Sequence, residues 1–251
     1  MTSIERFAER DPSEPGTPIE VWRPWIQRLA SIDAIELAGE RLQIVAPHPD
    51  DEVLGTGALA AFLTDRGVPV SIIAVTDGEA SHPDSPTHSP AELAAIRRNE
   101  SAAAGRVLGI ERITRLGLPD GAVAENEDQL TALLTDSIET GATVAIPLRN
   151  DGHPDHEATA RAGAAAARER GARVIEYPIW MWHWSFPDDP AIDWRRARRL
   201  ILPTECAARK RRATAQFHSQ LRPLSEHPAD RPVLGPHVVR RLLDLDEVVL
   251  V

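Results

Sequence analysis

Cysteine is almost missing from these 251 residues, and Cys206 stands alone. A single thiol cannot form an internal disulfide and excludes any multi-cysteine metal centre, so a bound metal must be held by histidine and carboxylate. Long apolar runs are missing too. No stretch approaches the ~20 residues that cross a bilayer, and the opening MTSIERFAERDPSEPG is too polar for a secretory signal. A cytoplasmic protein without a membrane span is therefore expected. Positive charge is in deficit: 28 Lys and Arg against 38 Asp and Glu leave a net charge of −10, which argues against nucleic acid or an anionic membrane as partner. The one basic cluster, Arg195, Arg196, Arg198 and Arg199, reads as a solvated strand or helix face. A homo-oligomer is allowed, but oligomeric state is not written in the chain.

What is present fits an ordinary globular protein, 42% hydrophobic and 26% charged, long enough for a sizeable core. Residues 1–18 carry Pro12, Pro15, Gly16 and Pro18 among charges and read as an extended N-terminal arm. The segment 19–30, with Trp22, Trp25, Ile26 and Leu29, reads as an amphipathic helix. Short β-rich runs then alternate with Ala/Leu-rich helical stretches. The runs are 42–46, 68–75, 112–116, 143–147 and 173–177, and the helical patterns are 53–65, 91–108, 128–139 and 156–170. Such alternation predicts an α/β fold, a mostly parallel sheet with helices on both faces. After Tyr177 the aromatic stretch YPIWMWHWSFPDD reads as a long loop, followed by a strand (197–202), a helix (204–217) and a short closing segment. No composition shift marks a second domain, so 1–251 is read as one.

Two clusters carry chemistry. Pro47-His48-Pro49-Asp50-Asp51-Glu52 follows the first long strand, and Asn150-Asp151-Gly152-His153-Pro154-Asp155-His156 follows the strand 143–147. In a parallel sheet both loops lie at the carboxyl ends of strands, where open α/β folds bind ligands. Each places two potential ligands three residues apart, His48 with Asp51 and His153 with His156. A catalytic zinc wants three N/O ligands and an open position for water, so four candidates leave one for chemistry. Asp50 and Asp51 suit a division of labour between ligand and base. His153 with Asp155 suits a proton donor backed by a carboxylate. Taken singly, each motif is as well explained by a tight proline turn; the pairing of the two after strands is what points to a metal.

His48-Pro49-Asp50-Asp51-Glu52 with Gly55 and Gly57, together with His153-Pro154-Asp155-His156, resembles the LmbE-like, or PIG-L, family of zinc-dependent N-acetylglucosaminyl deacetylases. The resemblance runs from about Gln43 to Gln220. It implies a Rossmann-like three-layer fold, with one zinc held by His48, Asp51 and His156 at the carboxyl ends of the strands. It implies Asp50 as general base, His153 as protonated oxyanion stabiliser and acid, Asp155 as its orienting partner, and Arg97 and Asp120 as substrate-binding residues; the proton for the leaving amine would come from Asp50 or His153. The activity implied is removal of an N-acyl group, N-acetyl above all, from an amino sugar or sugar conjugate, a small-molecule partner. The segment His218-Ser219-Gln220 also resembles the family, without a role assigned. N/O ligands accept other divalent metals as well.

Competing signals are weaker. Gly55-Thr56-Gly57-Ala58-Leu59-Ala60 matches a dinucleotide fingerprint, and Asp77 sits where a ribose-binding acid would. The glycines, however, come too far after the strand to form the phosphate turn, and close helix–sheet packing explains them. An NAD-binding oxidoreductase and a non-catalytic metal- or ligand-binding module are the alternative functions. Residues 81–90, with His82 and His88, read as a surface loop. Trp180, Trp182 and Trp184 read as a strand with an aromatic face, used in the core or as a wall for a sugar.

Overall fold

A computed structural model describes residues 1–251. Eight strands, β1 (Ser31–Ile32), β2 (Leu42–Ala46), β3 (Val70–Ala74), β4 (Arg112–Arg115), β5 (Thr143–Pro147), β6 (Arg173–Tyr177), β7 (Ala197–Leu200) and β8 (Val248–Leu250), form one sheet in the order β1-β7-β8-β6-β5-β2-β3-β4. All pairings are parallel except the two made by β8, which is antiparallel to β6 and β7.

The central strands read as unbroken apolar runs because both faces are covered. Along β2, Leu42, Ile44 and Ala46 join one core while Val45 points into another; along β5, Ala145 joins the first while Val144 and Ile146 join the second. The larger core lies beneath helices Asp51–Thr64, Pro90–Leu108 and Thr204–Thr214, and the smaller beneath Glu127–Ser137 and Pro154–Glu169. Helix, sheet and helix therefore stack in three layers, as the sequence pattern predicts.

Chain order sets the location of the site. From β2 the chain runs outward through β3 to β4, then returns across β2 to β5 and continues outward to β6. Connections on opposite sides of β2 and β5 leave a crevice at their carboxyl ends, the topological switch point. Both motif loops open there.

Some expectations are corrected. Residues 1–18 are not simply extended: Ser3–Ala8 is a helix begun by a Thr2–Glu5 capping box. Trp182 and Trp184 lie in a one-turn helix, Met181–Trp184, not in a strand. The helix from Ile19 ends at Ile26, and the closing segment contains helix Pro236–Asp244 ahead of β8. Segments this short carry too few residues for a periodic pattern to emerge.

Candidate metal centre and active site

The turn between β2 and helix Asp51–Thr64 is held in an unusual backbone. Asp50 adopts φ 133° and ψ −30°, a region disfavoured for any residue bearing a Cβ. Neighbours over-determine it. Its N–H donates to Glu52 Oε2 (2.9 Å), while Arg97 Nη2 donates to Pro49 O (2.7 Å) and lies 3.3 Å from Asp50 Oδ2. Backbone strain of about 1–3 kcal/mol persists only where the surroundings enforce it, and it gathers at functional sites. In the second loop, Pro154 opens helix Pro154–Glu169 at a position needing no N–H donor, and the His153 ring caps it, Nδ1 accepting the N–H of Asp155 (3.2 Å).

The two loops meet. His48 Nδ1 lies 3.3 Å from Asp51 Oδ2 and 3.3 Å from His156 Nε2, and His156 Nε2 lies 3.2 Å from Asp51 Oδ2. These three atoms form a nearly equilateral triangle. Ligands ~2.0–2.1 Å from a tetrahedral cation are separated by about 3.3–3.4 Å, so the triangle has the edge length of one face of such a site.

The partners of the other ring nitrogens make the same point. His156 Nδ1 lies 2.8 Å from Asp151 Oδ2, though not aligned as a regular hydrogen bond. His48 Nε2 lies 3.1 Å from Asp120 Oδ1 and 3.2 Å from Asp155 Oδ2. Each outer ring nitrogen faces a carboxylate that can hold its proton, so each imidazole, once neutral, can turn its other nitrogen to a cation. Two imidazole nitrogens and one carboxylate oxygen thus converge on one point.

Electrostatics agree. Burial alone would discharge His156, yet Asp51 and Asp151 raise it to about 9. His48 is likewise buried, and Asp120, Asp155 and Asp51 raise it well above its ordinary value. The cluster favours positive charge at its centre. Asp50 is different: burial, with Asp51 and Glu52 beside it, raises its carboxyl to about 8 against the pull of Arg97. His153 goes the other way, lowered to about 3 by burial and by its neighbours His156 and His48.

The eight site residues expected from the sequence, His48, Asp50, Asp51, Arg97, Asp120, His153, Asp155 and His156, gather here, with a different partner for Asp155 from the one expected. The Asp155 carboxylate does not bond the His153 ring, which takes only the Asp155 backbone N–H; the carboxylate meets His48 and accepts the N–H groups of Gly121 (2.8 Å) and Val123 (3.2 Å), because the first helical turn faces the 120–123 loop. Arg97 borders the cavity; its Nη1 donates to Gly78 O and its Nη2 to Pro49 O, with Asp50 Oδ2 at 3.3 Å, while its Nε has no partner. Asp120 lines the cavity while also contacting His48 and accepting the Ala80 N–H (2.8 Å). A cavity of about 260 Å³ opens over His48, Asp50, Asp51 and His153, with Leu54, Ile179, Trp180 and Leu234 as apolar wall.

Asp151 was missed. It is fully buried and accepts the N–H groups of Ile179 (2.8 Å), Trp180 (3.0 Å) and Met181 (3.1 Å) while facing His156. Only its place in the second motif hinted at this. Within the aromatic run, Trp180 reaches the cavity, while Trp182 packs against Trp22 at 4.8 Å between centroids. Glu100 accepts the Ser219 N–H (2.8 Å) and hydroxyl (2.7 Å), which secures the late segment; Gln220 lines the cavity and His218 faces out.

The dinucleotide alternative fails on geometry. Gly55 and Gly57 lie inside helix Asp51–Thr64, where a Cβ on Gly55 would overlap the Tyr177 ring. Asp77 pairs with Arg98 (2.7 Å) and Arg115 (3.3 Å), away from the cluster.

A family model described as PIG-L, GlcNAc-PI de-N-acetylase, matches residues 43–167. The chain is 29% identical over 185 residues to a 1D-myo-inositol 2-acetamido-2-deoxy-α-D-glucopyranoside deacetylase of Mycolicibacterium gilvum, covering 61% of each. It is 31% identical over 121 residues to a diacetylchitobiose deacetylase of Thermococcus kodakarensis, covering 47% of this chain and 45% of that one. The chain thus spans between about half and three-fifths of the length of these curated relatives. Among solved structures, a conserved protein of Thermus thermophilus superposes with a TM-score of 0.59 at 25% identity, over 84% of this chain and 93% of that one.

Proposed function

Because the chain belongs to the PIG-L, or LmbE-like, family, we propose that it is a zinc-dependent hydrolase that removes an N-acetyl group from an amino sugar or sugar conjugate. The observation that carries this reading is the convergence of His48, Asp51 and His156 on one point beside the strained, cavity-facing Asp50. The relatives named as deacetylases of acetylated sugars support the substrate class. The whole chain, 1–251, is taken as one catalytic unit.

His48, Asp51 and His156 would hold the metal, which would supply Lewis acidity and make a nearby water more acidic. Asp50, raised to about 8, suits reversible proton transfer near neutrality. It takes a proton from the water that attacks the acetyl carbonyl. His153 has Nδ1 occupied by the Asp155 N–H, so its proton sits on Nε2, and a neutral N–H in a desolvated wall donates to the developing oxyanion. A neutral His153 keeps that proton, which leaves Asp50 to return one to the departing amine. Arg97 acts by holding the Pro49–Asp50 turn, and Trp180 offers a flat face to the sugar ring.

The test is direct. The Asp50→Asn variant should lose free-amine release from N-acetylated sugars by at least about 100-fold, while elemental analysis still finds close to one zinc per chain. A variant that turns over at near wild-type rate would remove Asp50 from the mechanism. A wild-type chain that binds zinc but frees no amine from any acetylated sugar would point to a binding module.

A further inference from the structure

The catalytic cavity is not closed on its outer side. Ser81 and Val233 line both it and a second, larger cavity of about 480 Å³. The wall of this outer cavity comes from residues 11–13, 81–84 and 228–237, and the first and last of these segments lie outside the stretch matched by the family model.

We infer that the outer cavity is a subsite for the group joined to the acetylated sugar, and that it takes a neutral polyhydroxylated ring, such as a second sugar, rather than an anionic group. The inference rests on the deacetylase reading of the adjoining centre. The size is that of a small-molecule site, for which ~300–1,000 Å³ is usual.

The lining sets the chemistry. Pro12, Pro83, Pro228, Pro232 and Pro236 present flat C–H faces without N–H donors, a surface suited to the apolar face of a sugar ring. His237 donates from Nε2 to Pro12 O (2.9 Å), which ties the N-terminal segment to the opposite wall and leaves Nδ1 as the ring's remaining acceptor. Arg231 and Asp84 are exposed at the rim, and neither side chain is tied into an ion pair or hydrogen bond elsewhere in the fold. An unpaired guanidinium donor and an unpaired carboxylate acceptor lining one cavity suit the donor-and-acceptor character of sugar hydroxyls. Asp11 adds a second carboxylate, so the lining holds one arginine and two acids. A phosphate or carboxylate placed there would meet more repulsion than attraction.

The zinc-loaded chain should be assayed with N-acetylglucosamine, N,N′-diacetylchitobiose and N-acetylglucosamine 1-phosphate. KM for the disaccharide should be about tenfold lower than for the monosaccharide, with the phosphate showing no gain. The double variant Arg231→Ala/Asp84→Ala should raise the disaccharide KM to the monosaccharide level, leaving monosaccharide turnover unchanged. Equal KM for mono- and disaccharide, a preference for the phosphate, or equal loss on both sugars in the variant would each overturn the inference. Calorimetric binding of the same three sugars to the Asp50→Asn protein ranks them without turnover. If no amine is released from any sugar, the deacetylase reading fails, while the affinity ranking still decides the subsite.

Discussion

Asp151 shows how much one carboxylate can organise. Three backbone N–H groups from 179–181 hold its oxygens, and the same group faces His156 Nδ1 at 2.8 Å. It therefore joins the aromatic segment that walls the cavity to the imidazole that would hold the metal. Outer carboxylates of this kind fix ring orientation and tautomer, and their loss weakens metal affinity by ~10–100-fold. Asp151→Asn should reproduce that loss in competition with a chromogenic chelator, since an amide offers one acceptor oxygen where the carboxylate offers two. Unchanged zinc affinity would mean that His156 is oriented by packing alone. The strain at Asp50 belongs to the same scale: a φ of 133° is maintained because Glu52 and Arg97 bind the N–H and the C=O of the Pro49–Asp50 peptide that precedes it.

Helix Asp51–Thr64 is the element on which the site depends, since it starts at a ligand and runs through the core. It is not uniform. Thr56 leaves helical geometry, and past the kink the N–H groups of Ala58 and Leu59 donate to Glu247 (2.8 Å each), whose charge is matched by Lys210 at 2.9 Å. A carboxylate from just before β8 thus caps the second half of a helix that starts at the metal cluster. The close approach to β6 requires Gly55, because any Cβ there would overlap Tyr177. The Tyr177 hydroxyl is itself committed, donating to Val45 O at 2.7 Å. Gly55→Ala should cost about 1–3 kcal/mol of stability, read as a lower urea midpoint at constant slope. A midpoint equal to wild type would show that this packing is looser than the geometry implies.

At the scale of the molecule, distant segments are bound together around His183. Its Nε2 donates to Asp11 O (3.2 Å), Arg241 Nη2 donates to its Nδ1 (2.8 Å), and its backbone oxygen accepts the Thr17 N–H (3.0 Å). The N-terminal segment, the aromatic segment and helix Pro236–Asp244 all depend on this neutral ring. Burial, reinforced by the Arg241 charge, lowers its pKa from 6.5 to about 4. Between those values the unfolded chain binds the proton and the folded chain does not, so the ring's contribution is complete above 6.5 and is lost as pH falls toward 4. Thermal melts taken between about pH 6.5 and about pH 4 should therefore fall more steeply for wild type than for His183→Gln. Parallel slopes would remove His183 from the acid sensitivity of the fold. Nearer the site, the same N-terminal segment places Phe7 6.2 Å from His153 and 5.3 Å from Trp180, so it builds part of the cavity surroundings rather than trailing from the domain.

Much of this was legible in the chain before folding. The strands 42–46, 143–147 and 173–177 coincide with the structure because buried parallel strands write themselves as short apolar runs, and the ligand pairs were visible because each lies within one turn. The partner of Asp155, the service of Asp151 and the engagement of Arg97 were not legible, since each depends on which loop lies across the crevice. Residue order supplied the donor types, their local spacing and the helix starts, all of which are set by neighbours along the backbone. The crossing of the chain over β2 to reach β5 decided the rest. It brought residues about a hundred positions apart within 3.3 Å, closed a cavity with segments from both ends of the chain, and shifted Asp50 and His153 in opposite directions by burial and neighbouring charge. Distance in space and exclusion of water are properties of the packed molecule, and no local pattern encodes them.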